Sequence, residues 1–312
     1  MEAWKVSLHS GHSSDYCDHA DDTLRDMIDA AVAFGYRTFG VTEHVPRFGA
    51  RYLYTKELEL GWTVETNRDH FARYTQDLQP LVAEYADRGL TILRGFEAEI
   101  VPPDEYQSIM LGYRDEKLPN GRPAFDYFVG SVHFINGHSI DGPRELFEQA
   151  IESCGGVAEL VQEYYRQVAF MVETLQPDMV GHFDLIKLNL LRNPDFGYPN
   201  ILNEHERRRC LDAGQAALET VRARNGILDL NTAGWRKNLN EPYPSAYWTE
   251  QAKLLGVPFC FGDDSHRVSD VGAGIVAARQ YLLDHGIDSI TVLARKGDSA
   301  NGPVVRRVIP LG

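Results

Sequence analysis

Seven short apolar runs recur along the chain: Val-Ser-Leu-His9, Phe-Gly-Val-Thr-Glu-His44, Ile-Leu-Arg-Gly-Phe-Glu97, Phe-Val-Gly-Ser-Val-His133, Met-Val-Gly-His182, Ile-Leu-Asp-Leu-Asn231 and Phe-Cys-Phe-Gly-Asp-Asp264-Ser-His266. Runs this short, apolar almost throughout and bounded by turn residues, predict parallel strands buried on both faces. Between them the apolar positions change to helical spacing. Leu24, Met27, Ile28, Ala31 and Val32 predict a helix over 22–34 that Gly35 ends. The same reading gives strands over 4–9, up to His44, and over 90–97, 126–133, 178–182, 227–231 and 257–263. Helices follow over 65–88, 203–224, 244–255 and 272–284, with two more between Pro143 and Leu175 that part at Gly155-Gly156. Seven β/α units of this kind predict an α/β barrel, and short strands near 288–294 and 304–309 finish the chain.

Two stretches interrupt the alternation. The polar and aromatic loop that runs to about residue 63 has the length of a lid or substrate wall. The charged segment over 102–124 reads as an irregular insertion whose exposed tip is Lys117-Leu-Pro-Asn-Gly-Arg122. No internal repeat or low-complexity tract occurs.

At 312 residues and 43% hydrophobic content the chain can bury a large core, and the length suits one domain over 1–312. No run of about 18 apolar residues is present, and Met1-Glu-Ala-Trp-Lys lacks the apolar core of a signal peptide, so the expectation is a cytoplasmic protein with no membrane partner. Cys17, Cys154, Cys210 and Cys260 are scattered without a close pair, which argues against a disulfide framework and reads as mostly buried small hydrophobes. A formal net charge of −14 disfavours nucleic acid as a partner. It suits a cationic substrate, or a site whose local charge bound metal ions reverse. The sequence sets no oligomeric state.

The chemistry lies in how the runs end. All but the sixth close on a His or a carboxylate, and strand ends of a barrel converge on one mouth. Asp264-Ser-His266 alone reads equally well as a capped turn or as a pair of ligands for a divalent cation. With His44, Glu97, His133 and His182 at equivalent strand ends, the ligand reading prevails. The loop after the first strand, His9-Ser-Gly-His12-Ser-Ser-Asp15-Tyr-Cys17-Asp18-His19, is dense in further donors.

That loop resembles the first motif of the polymerase and histidinol phosphatase (PHP) superfamily. Cys-x-His-Ala at 17–20 and Thr-Glu-His-Val-Pro-Arg at 42–47 resemble its histidinol-phosphate phosphatases. Gly95-Phe-Glu97-Ala-Glu99, Gly130-Ser-Val-His133, Gly181-His182-Phe-Asp184, Asn231-Thr-Ala-Gly-Trp-Arg236-Lys237 and Asp264-Ser-His266 match in order. The resemblance implies a distorted (β/α)7 TIM-like barrel that holds two to three divalent metal ions, zinc, manganese or iron, and needs no organic cofactor. It implies hydrolysis of a small-molecule phosphate monoester, L-histidinol phosphate, in histidine biosynthesis. The implied metal ligands are His9, His12, His19, His44, Glu97, His133, His182, Asp264 and His266. Glu97, Asp264 and His266 are the expected catalytic residues, with Glu97 as bridging carboxylate. The chain departs from the family pattern in one place: His9-Ser-Gly-His12 is one residue longer than the usual His-x-His, and a local bulge is expected to absorb the excess.

Arg236, just beyond the sixth strand, is expected to hold phosphate oxygens through its planar guanidinium, with Lys237 as a weaker helper; the alternative for Arg236 is a surface salt bridge. Glu43, Glu99 and Asp184 are candidates to orient metal-binding imidazoles. His70, His205 and His285 read as surface or capping residues, and His138 as a neighbour of the pocket. Two rival functions remain: a PHP phosphoesterase for another small ester, or a non-catalytic PHP-like accessory module.

Overall fold

The structure, a computed structural model, describes residues 2–99, 103–297 and 299–312. Its strands are β1 (Val6–Ser7), β2 (Thr38–Val41), β3 (Thr91–Arg94), β4 (Glu97–Glu99), β5 (Val129–Ser131), β6 (Phe134–Ile135), β7 (His138–Ser139), β8 (Met179–Val180), β9 (Ile227–Asn231), β10 (Phe259–Gly262), β11 (Ser289–Arg295) and β12 (Val304–Pro310). The helices are α1 (Leu24–Phe34), α2 (Thr55–Glu59), α3 (Val64–Ala86), α4 (Pro103–Arg114), α5 (Arg144–Cys154), α6 (Val157–Leu175), α7 (Lys187–Arg192), α8 (Glu204–Ala223), α9 (Ala233–Arg236), α10 (Ala246–Leu255) and α11 (Ile275–Asp284).

Two parallel ladders, β1-β2-β3 and β10-β9-β8-β5-β4, carry the core. Backbone hydrogen bonds join them at both edges. Gly95 N donates to Val41 O (2.8 Å) and Glu97 N to Glu43 O (2.9 Å), while Leu8 N donates to Phe261 O (2.9 Å) on the other side. Followed through these bonds, the strand order returns from β10 to β1, in keeping with the distorted barrel expected. The distortion lies where one strand over 90–97 was expected. β3 and β4 are separated at Gly95-Phe96, and a Cβ on Gly95 would sit 2.8 Å from both Thr42 Cγ2 and Tyr127 Cε1, so only glycine lets those side chains close over the bend. The expected strand over 4–9 shortens likewise to β1, since from His9 onward the chain turns into the ligand loop.

The helices obey the local signals. Thr23 caps α1 in a capping box with Asp26, Gly35 ends it at φ +89°, and Leu24, Met27, Ile28 and Ala31 are its buried face. Gly155 at φ +89° separates α5 from α6 as expected. The stretch read as an irregular insertion needs correction. Its Pro102 lies outside the described residues, but Pro103–Arg114 is the helix α4, with Met110 buried in the core. Proline is tolerated in a first helical turn, and packing of Met110 outweighs the charged surroundings that suggested a loop. The exposed tip is as expected, closed by Leu118 N to Arg122 O (2.8 Å). The loop before α3 also gains order, a 3-10 turn at Ala50–Tyr52 and α2.

The antiparallel hairpin β11–β12 is tied back to the barrel by one ionic node. Asp126 accepts from Arg94 Nη2 (2.7 Å), Nε (3.1 Å) and backbone N (2.8 Å), and from Arg295 Nη1 (2.6 Å). Among the described residues no helix is long and apolar enough to cross a membrane.

Candidate metal centre

The barrel puts the strand ends where the sequence pattern requires them. His9 lies just past β1, Glu97 opens β4, His133 and His182 follow β5 and β8, and Asp264 follows β10; His44 forms a lone parallel bridge with Glu97. The additional residue between His9 and His12 is taken up by Gly11 at φ +73°, where a Cβ would press on Phe39 Cε1 at 3.1 Å. Both histidines consequently point inward and are fully buried. Asp264 also has a left-handed backbone, φ +48°, held by its N–H on His9 O (2.8 Å), a conformation Asp tolerates better than most residues.

All nine predicted ligands fall into overlapping sets whose donor atoms lie within 4.8 Å of one another: Glu97 with His133 and His182; His9 and His12 with Glu97; His12 with Asp264 and His266; and His19, His44 and His266 with Cys17. Glu97 is the hub. Its Oε1 lies 3.2 Å from His182 Nε2, 3.6 Å from His133 Nε2 and 3.4 Å from His9 Nε2. Its Oε2 lies 2.9 Å from His44 Nδ1 and 4.0 Å from His12 Nε2. His133 Nε2 and His182 Nε2 are 3.2 Å apart. Two nitrogen or oxygen donors on one tetrahedral ion are about 3.3 to 3.6 Å apart, given metal–ligand bonds near 2.0 to 2.2 Å. Glu97 Oε1, His9 Nε2, both nitrogens of His12 and of His44, and His266 Nε2 are buried without a hydrogen-bond partner. Such atoms cost about 1 to 3 kcal/mol each unless something satisfies them, and shared cations are what these donors fit.

A set of outer contacts turns the rings. Nδ1 of His9 meets Asp229 (2.7 Å), Nδ1 of His133 meets Glu99 (2.6 Å), and Nδ1 of His19 meets Asp18 (2.9 Å), while His266 Nδ1 faces the Asp264 carbonyl (3.1 Å). Each contact commits Nδ1 and turns Nε2 toward the cluster. Of the three carboxylates expected in this role, Glu99 fills it and is itself held by Arg47 (2.7 Å). Glu43 accepts from Ser13 N (2.7 Å) and Oγ (2.8 Å) through Oε1, and its Oε2 faces His12 Nδ1 at 3.9 Å. Asp184 accepts from Ser245 N (2.9 Å) and pairs with Lys187 (3.1 Å). Asp18 and Cys17 lie in the donor-dense loop but the sequence assigns them no role, and it leaves out Asp229. Asp229 had a signal, a lone carboxylate inside the apolar run Ile-Leu-Asp-Leu-Asn231. That run lacks a terminal ligand because Asn231 bridges outward, donating to Asp229 (2.9 Å) and Asp264 (3.2 Å).

Charge follows the same plan. Burial alone would raise the Glu97 carboxyl, yet His9, His133 and His44 hold it well below the usual carboxylate range. Burial, His266 and His44 push His12 well below the usual imidazole value, which keeps it neutral and ready to ligate. Burial would also raise the Cys17 thiol, but His19, His266 and His44 hold it well below the thiol range; the same contact with Cys17, against burial, lifts His19 to about 10.

The cluster floors a cavity of about 940 Å³. Arg236 and Lys237 line it, as expected, and Arg236 also makes the salt bridge that was its alternative reading, Nε to Asp270 Oδ1 at 3.5 Å. Its Nη1 donates to Thr232 Oγ1 (3.1 Å) and its Nη2 to the carbonyls of Asp263 and Asp264 (3.0 Å to the latter), so it braces the loop that carries Asp264. His138 sits in β7 and joins none of the metal-capable sets found among the described residues. His285 is a capping residue, its Nδ1 2.8 Å from Tyr281 O.

Known proteins resemble this chain in sequence and in fold. The model of the PHP domain matches residues 7–233. The probable histidinol-phosphatase of Schizosaccharomyces pombe is 32% identical over 304 residues, 97% of this chain and 94% of that one. The histidinol-phosphatase of Saccharomyces cerevisiae is 27% identical, with 88% of each chain covered. In three dimensions the fold matches the histidinol phosphate phosphatase of Lactococcus lactis, solved with zinc, L-histidinol and phosphate, at a TM-score of 0.67, 19% identity, and coverage of 93% of this chain and 96% of that one.

Proposed function

The chain belongs to the PHP domain family, and we propose on that premise that it is a metal-dependent phosphoric monoester hydrolase, splitting L-histidinol phosphate into L-histidinol and inorganic phosphate in histidine biosynthesis. The observation that carries the reading is Glu97: one carboxylate lining the cavity whose two oxygens are shared between separate sets of buried histidine nitrogens, of which His9 Nε2 and His44 Nδ1 have no hydrogen-bond partner. Two or three zinc, manganese or iron ions in those sets would polarise the phosphoryl oxygens and offset charge on the departing alkoxide.

The chain's own residues do the rest. Glu97, Asp264 and His266 form the reacting floor, and His9, His12, His19, His44, His133 and His182 complete the donors. Arg236 and Lys237 stand beside Asp264 on the wall and receive the phosphate, with Arg236 already braced in place by the 263–264 carbonyls. The remaining wall mixes Arg51, Arg192 and Arg267 with Asp141 and Asp270, which suits a substrate carrying both a phosphate and an amine.

Metal-replete protein should release phosphate from L-histidinol phosphate with a kcat/KM well above that for other small phosphate monoesters. Faster turnover of a different ester under the same conditions overturns the substrate assignment. A filled metal site with no turnover of any ester overturns the enzyme.

A further inference from the structure

We propose that Cys17 is a metal ligand, and that with His19, His44 and His266 it makes one cation site of the centre a soft, closed site of three imidazole nitrogens and one thiolate, distinct from the sites around Glu97, each of which includes a carboxylate oxygen. The proposal rests on the metallophosphatase reading only in placing this cluster at the active site. The four donor atoms lie within 4.8 Å of one another. Cys17 is a free, buried cysteine, so its sulfur is neither tied up in a disulfide nor out on the surface. Its Sγ lies 3.3 Å from His19 Nδ1 and 3.6 Å from Nε2, and the second separation is the one expected of a sulfur and a nitrogen on one tetrahedral zinc, about 3.6 Å. His19 Nδ1 is already committed to Asp18 at 2.9 Å, which leaves Nε2 as its donor. His266 Nε2 and both nitrogens of His44 are buried with no hydrogen-bond partner, so the histidines of this set await the same cation that the sulfur faces.

The donor chemistry sets this site apart. The sets around Glu97 mix imidazole with carboxylate oxygen and accept manganese, iron or zinc alike. A thiolate favours zinc over manganese, and four protein donors fill a tetrahedral shell with no position left for water. This ion is therefore retained rather than exchanged, and it steadies His44 and His266, which reach toward Glu97 and Asp264 from the other side.

The test reads the sulfur directly. Cobalt-loaded wild type should display a near-ultraviolet thiolate-to-cobalt charge-transfer band, and Cys17→Ser should lose it. The variant should also lose one zinc per chain after dialysis, its affinity at that site falling by more than the roughly 10 to 100-fold typical of losing an outer partner. Should the variant not fold, the wild-type protein suffices: with the alkylated residue identified by mass spectrometry, zinc should slow alkylation of Cys17 by about tenfold or more, since a coordinated thiolate is shielded. After manganese exchange, elemental analysis should find zinc still retained. Equal alkylation rates with and without zinc, or an unchanged cobalt spectrum in Cys17→Ser, overturn the proposal. Either result leaves turnover of L-histidinol phosphate, and with it the function, standing.

Discussion

Two buried ionic regions of this molecule obey opposite rules. At the Arg94–Asp126–Arg295 node, one carboxylate meets two guanidinium groups and both of its oxygens are engaged. At the barrel mouth, carboxylates and imidazoles crowd together with buried lone pairs that no protein group meets. Burying charge is costly unless geometry repays it. The node is repaid within the chain, and the mouth is repaid from outside it. Removing a residue from the node should therefore cost stability, and removing one from the mouth should cost metal and turnover.

The largest effect is expected at Glu97. Glu97→Gln takes a charged donor from two sets at once, and loss of the metal contribution of several kcal/mol means roughly a thousandfold or more in kcat; prolonged chelation of wild type should abolish turnover, and zinc or manganese should restore it. A Glu97→Gln protein with full metal content and wild-type kcat breaks the comparison at its centre.

Asp126→Asn is the converse. It leaves two buried cations facing a neutral amide and should cost about 3 to 5 kcal/mol of stability, read by chemical denaturation, with kcat per folded molecule unchanged. Burial would raise the Asp126 carboxyl, but Arg94 and Arg295 hold it below its usual value. A depressed carboxyl contributes stability that is complete above the unfolded value of about 3.9 and is lost as pH falls through the lower folded value. The stability gap between wild type and variant should therefore narrow on acidification in that window, and a gap that does not change with pH shows that the node is not ionic.

A smaller loss is expected at Asp229, which touches His9. Asp229→Asn should weaken metal affinity by about 10 to 100-fold while the fold holds, checked by metal titration and thermal denaturation. Arg236→Ala should lower kcat/KM for L-histidinol phosphate by about tenfold or more, the worth of a charged hydrogen bond, with Arg236→Lys restoring part. Unaltered phosphate inhibition in the alanine variant would reduce Arg236 to the loop brace its carbonyl contacts describe.

The mouth was far more legible in the sequence than its supports. Each metal-ligand candidate at a strand end stood out because a lone His or carboxylate follows an apolar run, and all nine converge. Cys17 did not stand out, because an isolated cysteine has the composition of a buried hydrophobe and only the fold brings it against His19, His44 and His266. Asp126 and Arg295 are 169 positions apart, so nothing local announces their pairing. The same limit applied to α4, whose prolines and charges outweighed the signal of the one methionine that anchors it. Strand lengths suffered too, since β1 and β8 pair over only two residues before the chain turns aside to present a ligand.

One detail of the barrel seam bears on how the protein is made. Leu8 N bonds Phe261 O and Asp264 N bonds His9 O, so β1, which pairs with β2 early, meets its other neighbour β10 only after the ribosome has passed Asp264. A nascent polypeptide that has passed residue 182 already owns Glu97, His133 and His182 and can take up a first cation. The His9–Asp264 side stays open until the last barrel strand emerges. Cation capture there would act as a clasp, fastening β1 to β10 after the strands between them are built. Cells short of metal should accordingly accumulate chains that are assembled around Glu97 but unfastened along β1 and β10, the segment where proteases would find them.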